Sequence, residues 1–132
     1  MQTILLVEDE PMIQELYKRV IEQAGFMVHT ASDGQTGLNE ALSKRPELIL
    51  LDISLPQMNG LEVMKKIRED TWGASAKIII MTNQDTNDEI LNAVSESKPE
   101  YYFLKANITP EGIILKINEI LNKQPQQPTS SY

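Results

Sequence analysis

The sequence predicts an α/β fold in which helices cover both faces of a parallel β-sheet. Short continuous apolar runs alternate along the chain with segments whose apolar residues recur every three or four positions. A continuous apolar run is typical of a strand buried on both faces, and the three-to-four spacing is typical of an amphipathic helix. The alternation implies five strands, five helices and right-handed crossover connections.

Five runs have the composition of buried strands, being short and rich in isoleucine, leucine and valine. They are Thr3–Val7, 26–30, 47–53, 77–82 and Tyr101–Leu104, and the run at 26–30 is the weakest. Because parallel strands end at one edge of their sheet, ligands in such folds bind beyond the carboxyl ends of the strands. The residues that follow these five runs are therefore the candidates for a functional site.

Four of the intervening segments present an apolar face. The predicted faces are Ile13, Leu16, Val20 and Ala24; Leu38, Ala41 and Leu42; Leu61, Met64 and Ile67; and Ile113, Ile114, Ile117, Ile120 and Leu121. Helix boundaries are predicted from Pro11 in a first turn, Asp33 or Ser32 as a cap, Arg45 before Pro46 as an end, Thr86 with Glu89 as a capping box, and Thr109 before Pro110 as a start. These signals agree with the alternation of strands and helices.

Length and composition predict one soluble domain at residues 1–122. The chain has 132 residues, 41% of them hydrophobic and 23% charged, and no apolar run approaches the length of a membrane span. Acids interrupt the first apolar run, so it does not resemble a secretory signal, and we expect a cytoplasmic protein. The absence of cysteine excludes thiol chemistry, and the formal charge of −7 argues against direct binding to nucleic acid or to membranes.

The segment 123–132, KQPQQPTSSY, is predicted to be a disordered tail. Its proline, glutamine and serine content is typical of linkers. It is either the stub of a linker to another domain or a docking tail for a partner, and composition favours the linker.

Polar residues collect at the predicted carboxyl edge of the sheet. Glu8 and Asp9 follow the first strand, while Asp52, Thr82 and Lys105 mark the ends of three others. Three carboxylates and one ammonium sum to −2, a charge that one divalent cation would cancel. Hard oxygen ligands, no cysteine and a single histidine favour Mg²⁺ over Zn²⁺. A Mg²⁺ held by few carboxylates typically meets a phosphate, which the hydroxyl and the ammonium would contact while an aspartate attacks phosphorus.

Four motifs together resemble the receiver domain of bacterial two-component response regulators. They are LLVEDEP, LLDISLPQMNG, IIIMT and YYFLK, in this order, and the resemblance covers residues 2 to about 122. It implies a flavodoxin-like doubly wound (βα)5 fold with strand order 2-1-3-4-5. It also implies transfer of a phosphoryl group to an aspartate from a sensor histidine kinase or a phosphotransfer protein.

The resemblance assigns roles to individual residues. Asp52 resembles the phosphoacceptor, Asp9 a direct Mg²⁺ ligand and Glu8 a ligand that more often acts through water, while the backbone carbonyl of Ser54 completes the coordination. Mn²⁺ could replace Mg²⁺ at such a site. Glu10 falls outside the family's acidic pair and is expected to stabilise the helix start through the helix dipole.

Three further residues resemble the family's phosphoryl-binding and switch positions. Thr82 and Lys105 would contact phosphoryl oxygens, and Tyr102 would be the switch aromatic, unless it is an ordinary core tyrosine. Because Tyr101 is its neighbour in the strand, one of the two tyrosines is expected to point outward. In the family, phosphorylation remodels the face formed by the fourth helix, fifth strand and fifth helix, so we expect a monomer or a phosphorylation-dependent dimer through that face.

The chain departs from the family pattern at two positions. Ala106 follows Lys105 where proline is usual, which favours a trans peptide bond there. Asn83 follows Thr82 where a smaller residue is usual, and Ser54, Asn83 and Gln84 occupy positions that tune the lifetime of the phosphorylated state.

Three functions are compatible with these residues. The first is a receiver that catalyses only its own phosphorylation and dephosphorylation and signals to a downstream protein or to an effector domain. The second is a degenerate receiver that acts as a constitutive interaction module. The third is an aspartyl phosphohydrolase, which the first strand disfavours because VEDEP lacks an Asp-x-Asp arrangement.

Overall fold

The chain folds as a central parallel sheet with helices on both faces in a computed structural model that describes residues 1–55, 57–82 and 88–122. The strands are β1 (Thr3–Val7), β2 (Met27–Ala31), β3 (Leu48–Asp52), β4 (Ile78–Thr82) and β5 (Tyr101–Leu104). The helices are α1 (Pro11–Gln23), α2 (Gly34–Lys44), α3 (Gly60–Glu69), α4 (Asp88–Ser97) and α5 (Pro110–Leu121). Over the described ranges, no helix is sufficiently long and apolar to span a membrane.

The strand order is β2-β1-β3-β4-β5, and the described pairings are all parallel. The predicted fold class and strand order are therefore confirmed. Each predicted strand is present with its ends shifted by at most one residue. The tail at 123–132 lies outside the described residues, so its predicted disorder stays a prediction.

Two hydrophobic layers bury the sheet. One face of the strands, including Leu5, Val7 and Leu51, packs against α2 and α3, and the other, including Ile4 and Leu50, packs against α1 and α5. Successive strand residues point to opposite faces, so covering both faces requires an uninterrupted apolar sequence. This is why β3 and β4 are buried at every position.

The apolar face of α1 differs from the predicted one. Leu16 is 45% exposed and Ala24 is also exposed, whereas Tyr17 and Ile21 are buried. The helix turns about 100° per residue, so the register of Ile13, Tyr17 and Ile21 excludes Leu16 from the core. The prediction was wrong for Leu16 and Ala24 because it left Tyr17, whose ring is buried, out of the apolar set.

The predicted helix caps are largely confirmed. The Asp33 carboxylate accepts a hydrogen bond from the Thr36 N–H at 2.8 Å, and the Thr109 hydroxyl accepts one from the Gly112 N–H at 3.0 Å. Arg45 ends α2 in the left-handed conformation with φ of 48°. The sequence analysis missed Asn59, whose side chain caps α3 by accepting from the Glu62 N–H at 3.0 Å. Thr86 lies outside the described residues, and no side chain is described for Glu89.

The pairing register brings the strand ends together. Val7 pairs with Leu51, Asp52 with Met81, and Thr82 with Leu104. The strand order reverses at β1, because β2 lies on one side of β1 and β3 lies on the other. This topological switch point is the crevice in which doubly wound sheets bind ligands.

Arg68 at the end of α3 joins three segments at the opposite end of the molecule. Its guanidinium donates hydrogen bonds to the carbonyl oxygens of Gly73 (2.9 Å) and Ala76 (2.6 Å) before β4. It also donates to Ser97 (2.9 Å) and Lys98 (3.1 Å) at the end of α4. The last carbonyl groups of a helix receive no hydrogen bond from within the helix, so Arg68 supplies a donor to carbonyls at the end of α4.

We predict that Arg68→Met lowers the free energy of unfolding by about 2–4 kcal/mol, because four carbonyl oxygens lose a charged donor. Urea denaturation followed by circular dichroism measures the change. Arg19→Met is the matched control, since Arg19 is exposed and its one ion pair within the described part of the chain, with Glu15, spans 3.7 Å. Equal denaturation midpoints for the two variants would contradict a stabilising role for Arg68.

Candidate functional site

Three carboxylates converge at the switch point between β1 and β3. Glu8, Asp9 and Asp52 each offer an oxygen, and these oxygens lie within 4.8 Å of one another. Glu8 and Asp52 are buried, with exposed fractions of 0% and 1%, while Asp9 is half-buried. The predicted acidic cluster therefore forms. Buried carboxylates are costly unless they are paired, hydrogen-bonded or bound to a cation.

Lys105 supplies the positive charge of this cluster. Its Nζ lies 2.5 Å from Glu8 Oε1 and 2.9 Å from Asp52 Oδ2, and its side chain is only 8% exposed. The replacement of the usual proline by Ala106 does not displace the lysine from the acids. The described residues contain no cis peptide bond, which agrees with the trans geometry expected at Ala106.

Asp52 is held at both carboxylate oxygens. Oδ1 accepts a hydrogen bond from the Ser54 N–H at 2.8 Å, and Oδ2 accepts the bond from Lys105. The start of α3 packs directly on the Asp52 backbone, since a Cβ added to Gly60 would lie 2.4 Å from the Asp52 carbonyl oxygen. Only glycine permits this approach, which holds α3 against the end of β3.

Both carboxylate oxygens of Glu8 also accept hydrogen bonds. Oε1 accepts from Lys105, and Oε2 accepts from the Glu10 N–H at 3.1 Å. Burial raises the pKa of Glu8, and the hydrogen bond from Lys105, which lowers it, offsets this only in part. Burial alone would lower the pKa of Lys105, but its bonds to Glu8 and Asp52 outweigh burial and raise it.

Glu10 lies at the start of α1, where it was predicted. It occupies the position before α1, but its side chain makes no capping hydrogen bond. Its carboxylate is 54% exposed and lies 4.0 Å from the Lys105 ammonium. A glutamate side chain is longer than the aspartate, asparagine and serine side chains that cap helices well. Glu10 therefore lies at the edge of the charged cluster without a capping hydrogen bond, and its interaction with the helix dipole stays a prediction.

Thr82 and Tyr102 lie on the adjoining strands. Thr82 ends β4 with an exposed fraction of 2% and pairs with Leu104 of β5. Tyr102 packs against the layer that contains α2 and α3, and its hydroxyl is buried without a hydrogen-bond partner among the described residues. Burial raises the pKa of Tyr102.

The expectation that one of the two tyrosines in β5 points outward was wrong. Both are half-buried, and Tyr101 packs against the opposite layer with Lys116 Nζ 4.3 Å from its ring centre. Helices cover both faces of the sheet, so the two tyrosine side chains can point to opposite faces without either being exposed to solvent.

The remaining candidate residues are less closely described. Ser54 is half-buried, and its N–H is the donor to Asp52. The proposed metal contact of its carbonyl remains a prediction. Asn83 and Gln84 lie outside the described residues.

The donor set fits a hard divalent cation. Glu8, Asp9 and Asp52 provide only carboxylate oxygens, and one ammonium leaves an uncompensated charge of −2 among these four groups. Oxygen donors at this spacing suit Mg²⁺ better than a soft metal. The acidic group can therefore hold a metal ion.

Fold and site together define the class of protein. The chain belongs to the response regulator receiver domain family, because the sequence model of that family matches residues 4–118. It is thus a receiver domain of the two-component type, as the four motifs predicted.

Individual relatives agree with this assignment. The chain is 35% identical over 127 residues to the response regulator ArlR of Staphylococcus aureus, a match that covers 96% of this chain and 56% of the relative. The chain therefore spans about half the length of the curated relatives that it matches.

Solved structures show the same fold. The chemotaxis protein CheY4 of Vibrio cholerae is 26% identical with a TM-score of 0.83, covering 92% of this chain and 99% of that one. A CheY-like receiver domain protein of Methanospirillum hungatei is also 26% identical, with a TM-score of 0.86 and coverage of 97% and 99%.

We predict that, without metal, the free energy of unfolding of Glu8→Gln rises relative to that of wild type as the pH rises. The folded protein raises the pKa of Glu8 above its ordinary value of 4.5, so the folded state binds this proton more tightly than the unfolded state. The stability contributed by the proton is complete below the unfolded pKa and is lost as the pH rises through the folded pKa. Urea denaturation in EDTA from about pH 4 to 7 measures the difference between variant and wild type.

Glu10→Gln is the control for this experiment. It removes an exposed carboxylate 4.0 Å from the same lysine, and an exposed ion pair contributes little to the free energy of unfolding, so its denaturation midpoint should stay close to that of wild type. A difference between Glu8→Gln and wild type that is constant across the range would show that ionisation of Glu8 costs no folding free energy.

Proposed function

We propose that this receiver accepts a phosphoryl group on Asp52 from the phosphohistidine of a sensor histidine kinase or of a phosphotransfer protein. The observation that carries the proposal is the placement of Asp52. Its carboxylate is buried at the switch point, oriented by Ser54 and Lys105, and surrounded by groups that neutralise or bind charge. Burial and fixed orientation favour in-line attack by one carboxylate oxygen.

The chain's own groups support this chemistry. An Asp52 oxygen forms the new bond to phosphorus while the bond from phosphorus to the donor's imidazole nitrogen breaks, and the imidazole leaves. The Lys105 ammonium, 2.9 Å from Asp52 Oδ2, lies close enough to contact phosphoryl oxygens without a large movement. The buried Thr82 hydroxyl, at the end of the neighbouring strand, would donate to another. These contacts neutralise charge in the transition state.

Glu8, Asp9, Asp52 and the Ser54 carbonyl would hold Mg²⁺, or Mn²⁺ in its place. The bound ion supplies neutralisation of the charge on the transferring phosphoryl group. The −2 charge that Lys105 leaves uncompensated supports a divalent ion.

Phosphorylation would signal through Thr82 and Tyr102. The phosphoryl group adds about two negative charges and attracts the Thr82 hydroxyl. Tyr102, whose hydroxyl is buried without a partner among the described residues, would then rearrange and alter the face of α4, β5 and α5. That face would bind a downstream protein, an effector domain or a second copy of the chain.

The domain would act catalytically only on its own phosphorylation and dephosphorylation. Ser54, Asn83 and Gln84 would adjust the lifetime of the phosphoryl group. A net charge of −7 and the receiver assignment support a cytoplasmic signalling role without direct contact to nucleic acid or membranes.

We predict that the wild type gains one phosphoryl group when incubated with Mg²⁺ and a small acyl phosphate, and that Asp52→Asn gains none. Asparagine keeps the size of the side chain but lacks the nucleophilic oxygen charge. Intact mass spectrometry measures the product. Asp33→Asn is the matched control, because asparagine also caps helices and should leave phosphorylation intact.

Rapid hydrolysis is separated from lack of transfer by a stable phosphoryl mimic. If the wild type gains no mass and binds no mimic in the presence of Mg²⁺, transfer to Asp52 is contradicted. Binding of the mimic without gain of mass would identify fast turnover.

We predict that Asp9→Asn weakens Mg²⁺ binding by about tenfold or more, since even groups that only orient metal ligands commonly contribute that factor. Isothermal titration with MgCl₂ measures the dissociation constant. Glu10→Gln removes a neighbouring carboxylate outside the three-carboxylate group and should have a smaller effect. Equal affinities for wild type and Asp9→Asn would exclude Asp9 as a ligand.

A further inference from the structure

The side chain of Gln14 in α1 joins the two loops beside the acidic cluster. Its Nε2 donates a 2.8 Å hydrogen bond to the carbonyl oxygen of Glu8. The same nitrogen lies 3.2 Å from Ser32 Oγ and 3.4 Å from the Ala31 carbonyl oxygen at the end of β2. Both carbonyls can only accept, so the atom facing them must be the amide nitrogen.

Gln14 contacts the acidic loop on both sides of Asp9. Its side chain binds the carbonyl of Glu8, and its backbone N–H donates to the carbonyl of Glu10 at 2.9 Å. The Asp9 carboxylate itself has no hydrogen bond among the described residues. The direction of Asp9 therefore depends on the backbone between Glu8 and Glu10, which Gln14 holds at both ends.

The position of Gln14 is fixed by the core. The helix that carries it buries Tyr17 and Ile21 against the sheet, one and two turns further along. The Glu8 N–H also donates to Ala31 at 3.0 Å, which extends the pairing of β1 with β2 up to the acidic loop. The loop is thus held between the sheet and α1.

We propose that Gln14 is a positioning residue that sets the affinity of the carboxylate group for a divalent cation by holding Asp9 ready for binding. A loop that is already ordered loses less conformational entropy when it binds, and its affinity rises accordingly. Position 14 therefore requires a side chain of this length that ends in a hydrogen-bond donor. The inference rests on the proposed Mg²⁺ site and identifies a residue outside its ligands.

The test compares Mg²⁺ affinities of Gln14→Met, Gln14→Glu and wild type by isothermal titration with MgCl₂. Gln14→Met keeps the length and helix propensity but removes the donor, and we expect the dissociation constant to rise about tenfold. Gln14→Glu has the same shape and adds a negative charge near the cation. The added charge alone would tighten Mg²⁺ binding, whereas loss of the Gln14 hydrogen-bond donor should weaken it.

Gln35→Met is the matched control. Gln35 also donates through its side-chain amide, but to Asn39 on the exposed surface of α2, so its variant should bind Mg²⁺ as the wild type does. Circular dichroism establishes that each variant is folded. If Gln14→Met does not fold, Gln14→Glu decides the question.

A readout of function separates positioning from general loss of structure. In Gln14→Met the Mg²⁺ concentration for half-maximal phosphoryl uptake should rise with the dissociation constant, and excess Mg²⁺ should restore uptake. Wild-type affinity in Gln14→Met would overturn the role of Gln14; if that variant does not fold, wild-type or tighter binding in Gln14→Glu would overturn it.

The outcomes also distinguish this inference from the proposed function. A wild type that binds Mg²⁺ but takes up no phosphoryl group contradicts the proposed function, while the three affinities still decide the role of Gln14. A wild type that binds no Mg²⁺ contradicts both.

Discussion

The site depends on one ammonium group placed between buried carboxylates. Lys105 contacts Glu8 and Asp52, which are almost inaccessible to water, and burying two carboxylates there without such a partner would be costly. The compensation is incomplete, since Asp9 adds a third carboxylate. An apolar sheet can therefore end in an acidic crevice whose carboxylates could hold a metal ion.

The fold supplies what this arrangement needs. Strand order places β1 beside β3, so Glu8 and Asp52 meet although 44 positions separate them in the sequence. Gly60 allows α3 to begin against the backbone of Asp52, and Gln14 connects α1 to the backbone of Glu8. The backbones of Glu8 and Asp52 are thus each held by a neighbour that carries no charge.

The sequence was sufficient to predict the strands, the fold class and the acidic edge. Buried strands such as β3 and β4 have a continuous apolar composition, and parallel strands end at the same edge. The strand order came from the resemblance to a family rather than from periodicity. Asp52 and Lys105 were therefore predicted to lie together before any distance was known.

Other features depend on tertiary geometry that the sequence pattern does not contain. The exposure of Leu16 follows from the rotation of α1, which the burial of Tyr17 determines. The contacts of Gln14 and Arg68 are to backbone carbonyls, and every residue has a carbonyl, so no sequence motif marks these partners. The proximity of Glu10 to Lys105 was not predicted, because their distance depends on how two loops fold together.

The contacts of Arg68 also constrain how α4 can move. They fix the carboxyl-terminal end of that helix to α3 and to the segment before β4. A helix attached at one end moves most easily by rotating about that attachment, so displacement is smallest there and grows toward its first residues. These contacts would therefore make a tilt of α4 about Arg68 easier than a translation of the whole helix.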